Sequence, residues 1–317
     1  MTIEPGANHR DLYGYGAEPP DAAWPGGARV AVSLVLNVEE GSEQRVTRGD
    51  PRNEDVYDMV ESIEHRPNLT MESHFDYGAR AGYWRIVRIF ERFEVTCTVN
   101  ACAEALELTP WIAEDCVRRG FEISCHGDRW MSHSRMDPEE EAASIRNAVD
   151  RITQICSVRP VGWHTRCPHT ENTRRLLIAE GGFVYDSDAY DDDLPYLVDS
   201  GDSRRHVVVP YSLDTNDMRF QRPESAFVGA SSFAEYVNDA FDCLWEEGAQ
   251  KAKMMTVGLH PRVIGRPARA LGLERILEHM CSRPTGTVWF ATREQIARHW
   301  LAEHGADATV AEKRRVA

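Results

Sequence analysis

Carboxylates and imidazoles recur at the ends of short apolar runs in this chain of 317 residues. Arg29–Val38 (RVAVSLVLNV) ends in Glu39-Glu40-Gly41, Phe121–Cys125 (FEISC) in His126, and Met254–Leu259 (MMTVGL) in His260. Val161–Thr165 carries Trp163 and His164 into Arg166, Phe183–Ser187 leads to Asp188, and Val207–Ser212 leads to Asp214 and Asp217. A carboxylate beside imidazoles can take a proton from water and return it to a leaving group. Each residue also has a structural reading. Glu39-Glu40 could lie in a solvated loop, and His126 and His260 could be hydrogen-bonded core histidines. Trp130 and Trp163 could be core or rim, and Asp191-Asp192-Asp193 a solvated face or helix cap. Strand side chains alternate, so at most one of Glu39 and Glu40 faces a shared pocket. Cys125 and Cys167 read as inert thiols.

The same residues bear on metal binding. His164, Cys167 and His169 match no closed zinc spacing. Glu40 and His126 could be two ligands of an open site, but the residue four after His126 is Trp130, and His133 is a weak substitute. No cofactor is expected; a divalent metal such as zinc on Glu40 and His126 is the alternative.

The elements that would hold these residues alternate in type. Apolar, β-rich stretches at Arg29–Val38, Val95–Ala101, Phe121–Cys125, Val161–Thr165, Phe183–Ser187, Val207–Ser212, Met254–His260 and Val288–Thr292 predict strands. Between them, Ala79–Phe93, Pro110–Arg119, Asp137–Cys156, Asn172–Glu180, Ser232–Glu247, Ala268–Cys281 and Arg293–His304 predict helices. Asp137-Pro138 with Glu140 is a helix start by composition alone. Such β–α units imply an α/β fold with parallel strands, and about seven of them favour a closed or distorted barrel. In a barrel the strand ends share one face, which makes the convergence of polar residues there the main functional signal. Gly41–Asn68 and Tyr190–Arg205 read as excursions. The expected organisation is an N-terminal extension over 1–25, one catalytic domain over 26–304 and a flexible tail over 305–317.

Composition removes other classes. Basic residues number 36 and acidic residues 51, a net charge of −15, so nucleic acid and anionic membranes are poor partners. No apolar stretch is long enough for a transmembrane helix, and Met1 to Pro25 lacks the regions of a signal peptide. The 8 Cys form no CxxC pair, which suits reduced thiols and a cytoplasmic location.

The strand-end set resembles the NodB-type polysaccharide deacetylase superfamily, which implies a distorted (β/α)7 barrel. Glu39-Glu40 stand where that family has an Asp-Asp pair, the base and a metal ligand. His126 with Trp130 stands at its His-x-x-x-His motif, Arg166 at its arginine, Asp186-Ser187-Asp188 at its Asp-rich stretch, and Leu259-His260 at its last histidine. Longer stretches are similar to its metal-independent allantoinase and cyclic imide hydrolase subgroup: WPGGARVAVSLVLNVEEG, MESHFDYGARAGYWRI, SCHGDRW, EGGFVYDSDAYDDDLPY, YSLDTNDMRF and VGLHPRVIGRPAR. The resemblance implies hydrolysis of a cyclic amide or ureide C–N bond, as in allantoin to allantoate, and a homotetramer that acts on a small molecule.

Two departures shape the expectation. Trp130 breaks the deacetylase metal motif. The loop His164–Glu171 replaces a glycine-rich loop and is one residue longer, which motivates a cyclic imide hydrolase as the alternative. A metal-dependent N-deacetylase and a catalytically inactive binding protein are the other readings. The expected roles are Glu39 or Glu40 as base, its pKa raised by burial, and His126 and His260 as acid and oxyanion groups. Trp130, Trp163, Arg166, Asp188, Asp217 and Arg266 are expected to bind substrate, with orientation of a histidine the alternative role for Asp188 and Asp217.

Overall fold

The computed structural model describes residues 10–56, 63–199, 205–221, 227 and 229–305. The longest strand, β1 (Val30–Val38), is buried along its whole length, as its unbroken apolar run requires. The others are β2 (Thr98–Ala101), β3 (Glu122–Cys125), β4 (Gly162–Trp163), β5 (Tyr185–Asp186), β6 (Tyr196–Asp199), β7 (Arg205–Val208), β8 (Lys253–Leu259) and β9 (Val288–Phe290). Their order is β6-β7-β5-β4-β3-β2-β1-β8, with β9 also beside β1. All pairs are parallel except β6 with β7. β1 pairs with β8 from Val30 to Leu36. Its other edge takes β9 at Val30–Val32 and β2 at Val35–Val38.

The sheet curls into a half-barrel, the distorted barrel that the sequence implies. The segment after β7 runs along the open seam and touches β8 at Asn216–Gly258. Fully buried Arg293 crosses the interior beside it. Its guanidinium donates to Ser187 Oγ at 2.8 Å, to Thr256 Oγ1 at 2.9 Å and to Pro210 O at 2.8 Å. One side chain thus joins the end of β5, the seam segment and β8, and satisfies polar groups that water cannot reach.

The helices are α1 (Leu69–Tyr77), α2 (Tyr83–Arg92), α3 (Ala103–Leu108), α4 (Pro110–Arg119), α5 (Pro138–Cys156), α6 (Thr173–Glu180), α7 (Ala230–Glu247), α8 (Pro267–Cys281) and α9 (Arg293–His304). α5 starts as its composition predicts, with a capping box between Asp137 and Glu140. Several expected boundaries move. The strand expected from Val95 begins at Thr98, those at Val161–Thr165 and Phe183–Ser187 shrink to two residues each, and the helix α3 was not anticipated. The excursion Tyr190–Arg205 contains β6, folded back on β7. The N-terminal segment packs Trp24 against Trp289, Trp300 and His299, and its indole donates to Lys253 O at 2.8 Å. Of the expected extension and tail, 1–9 and 306–317 lie outside the described residues.

The helix expected from Ala79 begins ten residues earlier, because α1 runs into α2 through a wider π-turn at Gly78–Gly82. Two glycines there allow close approach. A Cβ on Gly78 would strike the Glu40 carboxylate, and one on Gly82 would strike Pro261 O. The loop after β8 therefore rests directly on this helix, and that loop carries the site. Backbone cannot give way as a flexible side chain can, so Gly82→Ala is expected to destabilise by about 1–3 kcal/mol. An unchanged midpoint in urea unfolding would show that the approach is not constrained.

Candidate active site

The expected strand ends converge on a cleft of about 530 Å³. Glu39 lies at its floor, 1% exposed, where β1 ends. Glu39 Oε1 lies 3.2 Å from His126 Nε2 and 3.4 Å from His260 Nε2. Oε2 lies 2.7 Å from Arg262 Nη2. Burial works to raise the Glu39 carboxyl, but Arg262, His260 and the hydrogen bond from His126 outweigh it and hold it well below the usual carboxylate range. This corrects the expectation of a base raised by burial.

Strand alternation turns Glu40 away from the cleft. It packs on Gly78 and accepts from Glu39 N at 3.1 Å and Arg262 N at 3.3 Å. Burial, with Glu39 beside it, raises its carboxyl despite Arg262. The raised carboxylate is therefore the one outside the cleft.

Each histidine is aimed by a second group. His126 Nδ1 donates to His164 O at 2.5 Å, which leaves Nε2 toward Glu39. His260 Nδ1 donates to Asp217 Oδ1 at 2.6 Å, and His260 N donates to Oδ2 at 2.8 Å. Burial disfavours a charged His260, but Asp217 and Glu39 prevail and raise it to about 9. At neutral pH the floor thus holds an ionised carboxylate beside a protonated imidazole.

The remaining expected residues divide. Trp130 and Arg166 line the cleft; the Arg166 guanidinium stacks on the Trp130 ring at 3.8 Å and grips Glu54 at 2.8 and 2.9 Å. Asp217 and Asp188 lie behind the wall, where they hold His260 and His164 rather than touch the cleft. Trp163 is not at the cleft either: it is fully buried, tilted against His133 and edge-on to Phe183, because its neighbour His164 takes the inward face. Arg266 lies outside the lining, its guanidinium over the Tyr77 ring at 3.7 Å. His169 and Cys167 are exposed, and burial pushes the Cys125 thiol up to about 12.

Sequence reasoning gave no role to Arg262, Asn37 or Tyr211 and weighed His164 only as a metal ligand, yet all four line the cleft. Arg262 stands two residues after His260, so its position was a readable signal. The Tyr211 hydroxyl accepts from Asn37 Nδ2 at 3.0 Å and Asn216 Nδ2 at 3.3 Å.

The residues present do not fit a metal ion. Trp130 holds the place of a ligand, and the Arg262 guanidinium already faces Glu39 from between Phe75 at 4.5 Å and Trp130 at 4.9 Å. His126 Nε2 meets Glu39 rather than Glu40, so the expected pair Glu40 and His126 is not assembled. Among the described residues no group of three His, Cys, Asp or Glu is arranged to hold an ion.

A half-barrel with a carboxylate and two histidines at its strand ends defines a hydrolase, and the chain belongs to the polysaccharide deacetylase family. Residues 66–182 match the profile of the family described as polysaccharide deacetylase. A Schizosaccharomyces pombe protein whose name assigns it to the polysaccharide deacetylases is 36% identical, over 93% of this chain and 98% of its own. Two crystal structures are similar throughout. A probable polysaccharide deacetylase from Pseudomonas aeruginosa PAO1 has a TM-score of 0.89 and 45% identity, covering 93% of this chain and 99% of its own. PuuE allantoinase has a TM-score of 0.90 and 43% identity, covering 94% and 99%. Among the described residues no helix is long and apolar enough to cross a membrane.

Proposed function

We propose that this hydrolase opens a C–N bond in a cyclic amide, ureide or imide, with allantoin as the first substrate to test. The observation that carries the reading is Arg262: a buried guanidinium, not a set of metal ligands, faces the Glu39 carboxylate at 2.7 Å. The similarity to PuuE allantoinase supports the same class. Water adds to the ring carbonyl carbon, its proton passes to Glu39, and the carbonyl π pair moves onto oxygen. The Arg262 guanidinium, buried at the cleft with Nη2 2.7 Å from Glu39, is the donor group for that oxyanion, with His126 beside it. Collapse re-forms the C=O, breaks the C–N bond, and leaves nitrogen to take the proton of His260 Nε2. Glu39 then returns its proton to His260, 3.4 Å away. The two shifts keep Glu39 ionised and His260 protonated at neutral pH, the states from which this cycle starts.

The loop His164–Glu171 favours a second reading within this class, a cyclic imide hydrolase. The test is hydrolysis of allantoin and succinimide by chelator-dialysed protein. Ring opening of either at full rate without added metal is the expected result, and the faster ring names the subgroup. Activity only after a divalent metal is restored would overturn the mechanism, and recovery of bound but unchanged ring would show a binding protein.

A further inference from the structure

We propose that His164, held by Asp188, accepts the N–H beside the scissile carbonyl, and so selects rings with a free N–H over N-alkylated rings. The inference rests on the cyclic amide reading above. His164 is 5% exposed and forms part of the cleft wall. Its ring is clamped between His126, at 5.2 Å, and Tyr211, at 4.4 Å, both stacked. Nδ1 lies 3.2 Å from Asp188 Oδ1. Asp188 also accepts from Thr165 N at 2.8 Å and Thr165 Oγ1 at 2.6 Å. An ionised carboxylate only accepts, so the His164 proton sits on Nδ1 and a lone pair is left on Nε2. Among the described residues Nε2 has no hydrogen-bond partner.

The support behind this dyad is built in depth. Asp188 N donates to Asp186 Oδ1 at 3.0 Å, and Asp186 is held by Arg174 at 2.7 Å and His206 at 2.9 Å. Burial, His126 and Arg293 disfavour a charged His164 and outweigh Asp188, so the ring is kept neutral. The other acceptors at the floor are already engaged: Glu39 faces Arg262 and the rings of His126 and His260, and Asn37 Oδ1 takes Asn100 Nδ2 at 3.2 Å. A cyclic amide presents C=O and N–H side by side. Arg262 offers the matching donors and His164 the matching acceptor.

The experiment compares kcat/KM for succinimide and hydantoin with that for their N-methyl derivatives. It uses wild type, His164→Phe, which keeps a ring in the stack, and Asp188→Asn, whose amide can donate to Nδ1 and move the ring proton to Nε2. The preference for the N–H ring, read as the ratio of the two kcat/KM values within each enzyme, is expected to fall about tenfold or more in both variants, on top of any loss that the two rings share. If both rings slow by the same factor, or the preference is unchanged, His164 is not the N–H acceptor, while the hydrolase reading stands. If wild type opens none of the rings, the hydrolase reading itself fails. Should His164→Phe not fold by circular dichroism, Asp188→Asn decides alone.

Discussion

Glu39→Gln is expected to lower kcat by about 10²–10⁴-fold, the range for loss of a positioned general base. The amide has the shape of the carboxylate but cannot take the proton of water. It also removes the anion shared by His126, His260 and Arg262, whose contacts with Glu39 are 3.2, 3.4 and 2.7 Å. Breaking a buried ion pair from one side costs about 3–5 kcal/mol, so the variant is also expected to unfold more easily. Assays must therefore be run where circular dichroism shows it folded. Glu40→Gln separates the two effects. Glu40 is as buried as Glu39 and also near Arg262, at 3.7 Å, but it does not line the cleft. It is expected to change stability while leaving kcat within about threefold, because Glu40 lies outside the cleft and its amide replacement leaves the Glu39–Arg262 contact in place. Equal loss of turnover in both variants would show that the acidic pair is structural and that the base lies elsewhere.

How much of this was readable beforehand depends on distance along the chain. Alternation on a strand is local, and it correctly limited the cleft to one of Glu39 and Glu40. It could not say which, because that depends on the close packing of Gly78 against Glu40 from a different element. The same rule applied to Trp163 and His164 would have put one of them in the core. The aromatic ring drew attention as a stacking surface, yet the larger apolar side chain took the core and the imidazole took the cleft. Strands of two residues, such as β4 and β5, give too little pattern for their limits to be read. Asp188 and Asp217 were recognised as important, but their hydrogen bonds run to histidines 24 and 43 residues away in sequence. Of the two roles open to them in the sequence, orienting a histidine or contacting substrate, the folded sheet shows the first, and neither carboxylate lines the cleft.

Arg262→Met is expected to lower kcat/KM at neutral pH by about 10²–10³-fold, comparable to removal of an oxyanion donor. Arg262 also sets the pH profile. Its charge is the largest influence opposing burial at Glu39, so its removal raises the Glu39 pKa. A base works only when ionised, and the acid limb of kcat/KM must therefore move to higher pH. The alkaline limb follows loss of the proton from His260, which Asp217 and Glu39 hold up to about 9. Those two groups remain in the variant, so that limb should stay in place and the profile should narrow from the acid side only. Arg262→Lys keeps a charge without the planar fork, and is expected to hold the acid limb nearer its original position while still losing turnover. A fall in activity with an unmoved acid limb would mean that Arg262 acts through packing between Phe75 and Trp130 rather than through its charge on Glu39. On the proposed mechanism, one guanidinium would both stabilise the oxyanion and keep the base ionised, which is how a cleft with Trp130 four residues after His126 would activate water.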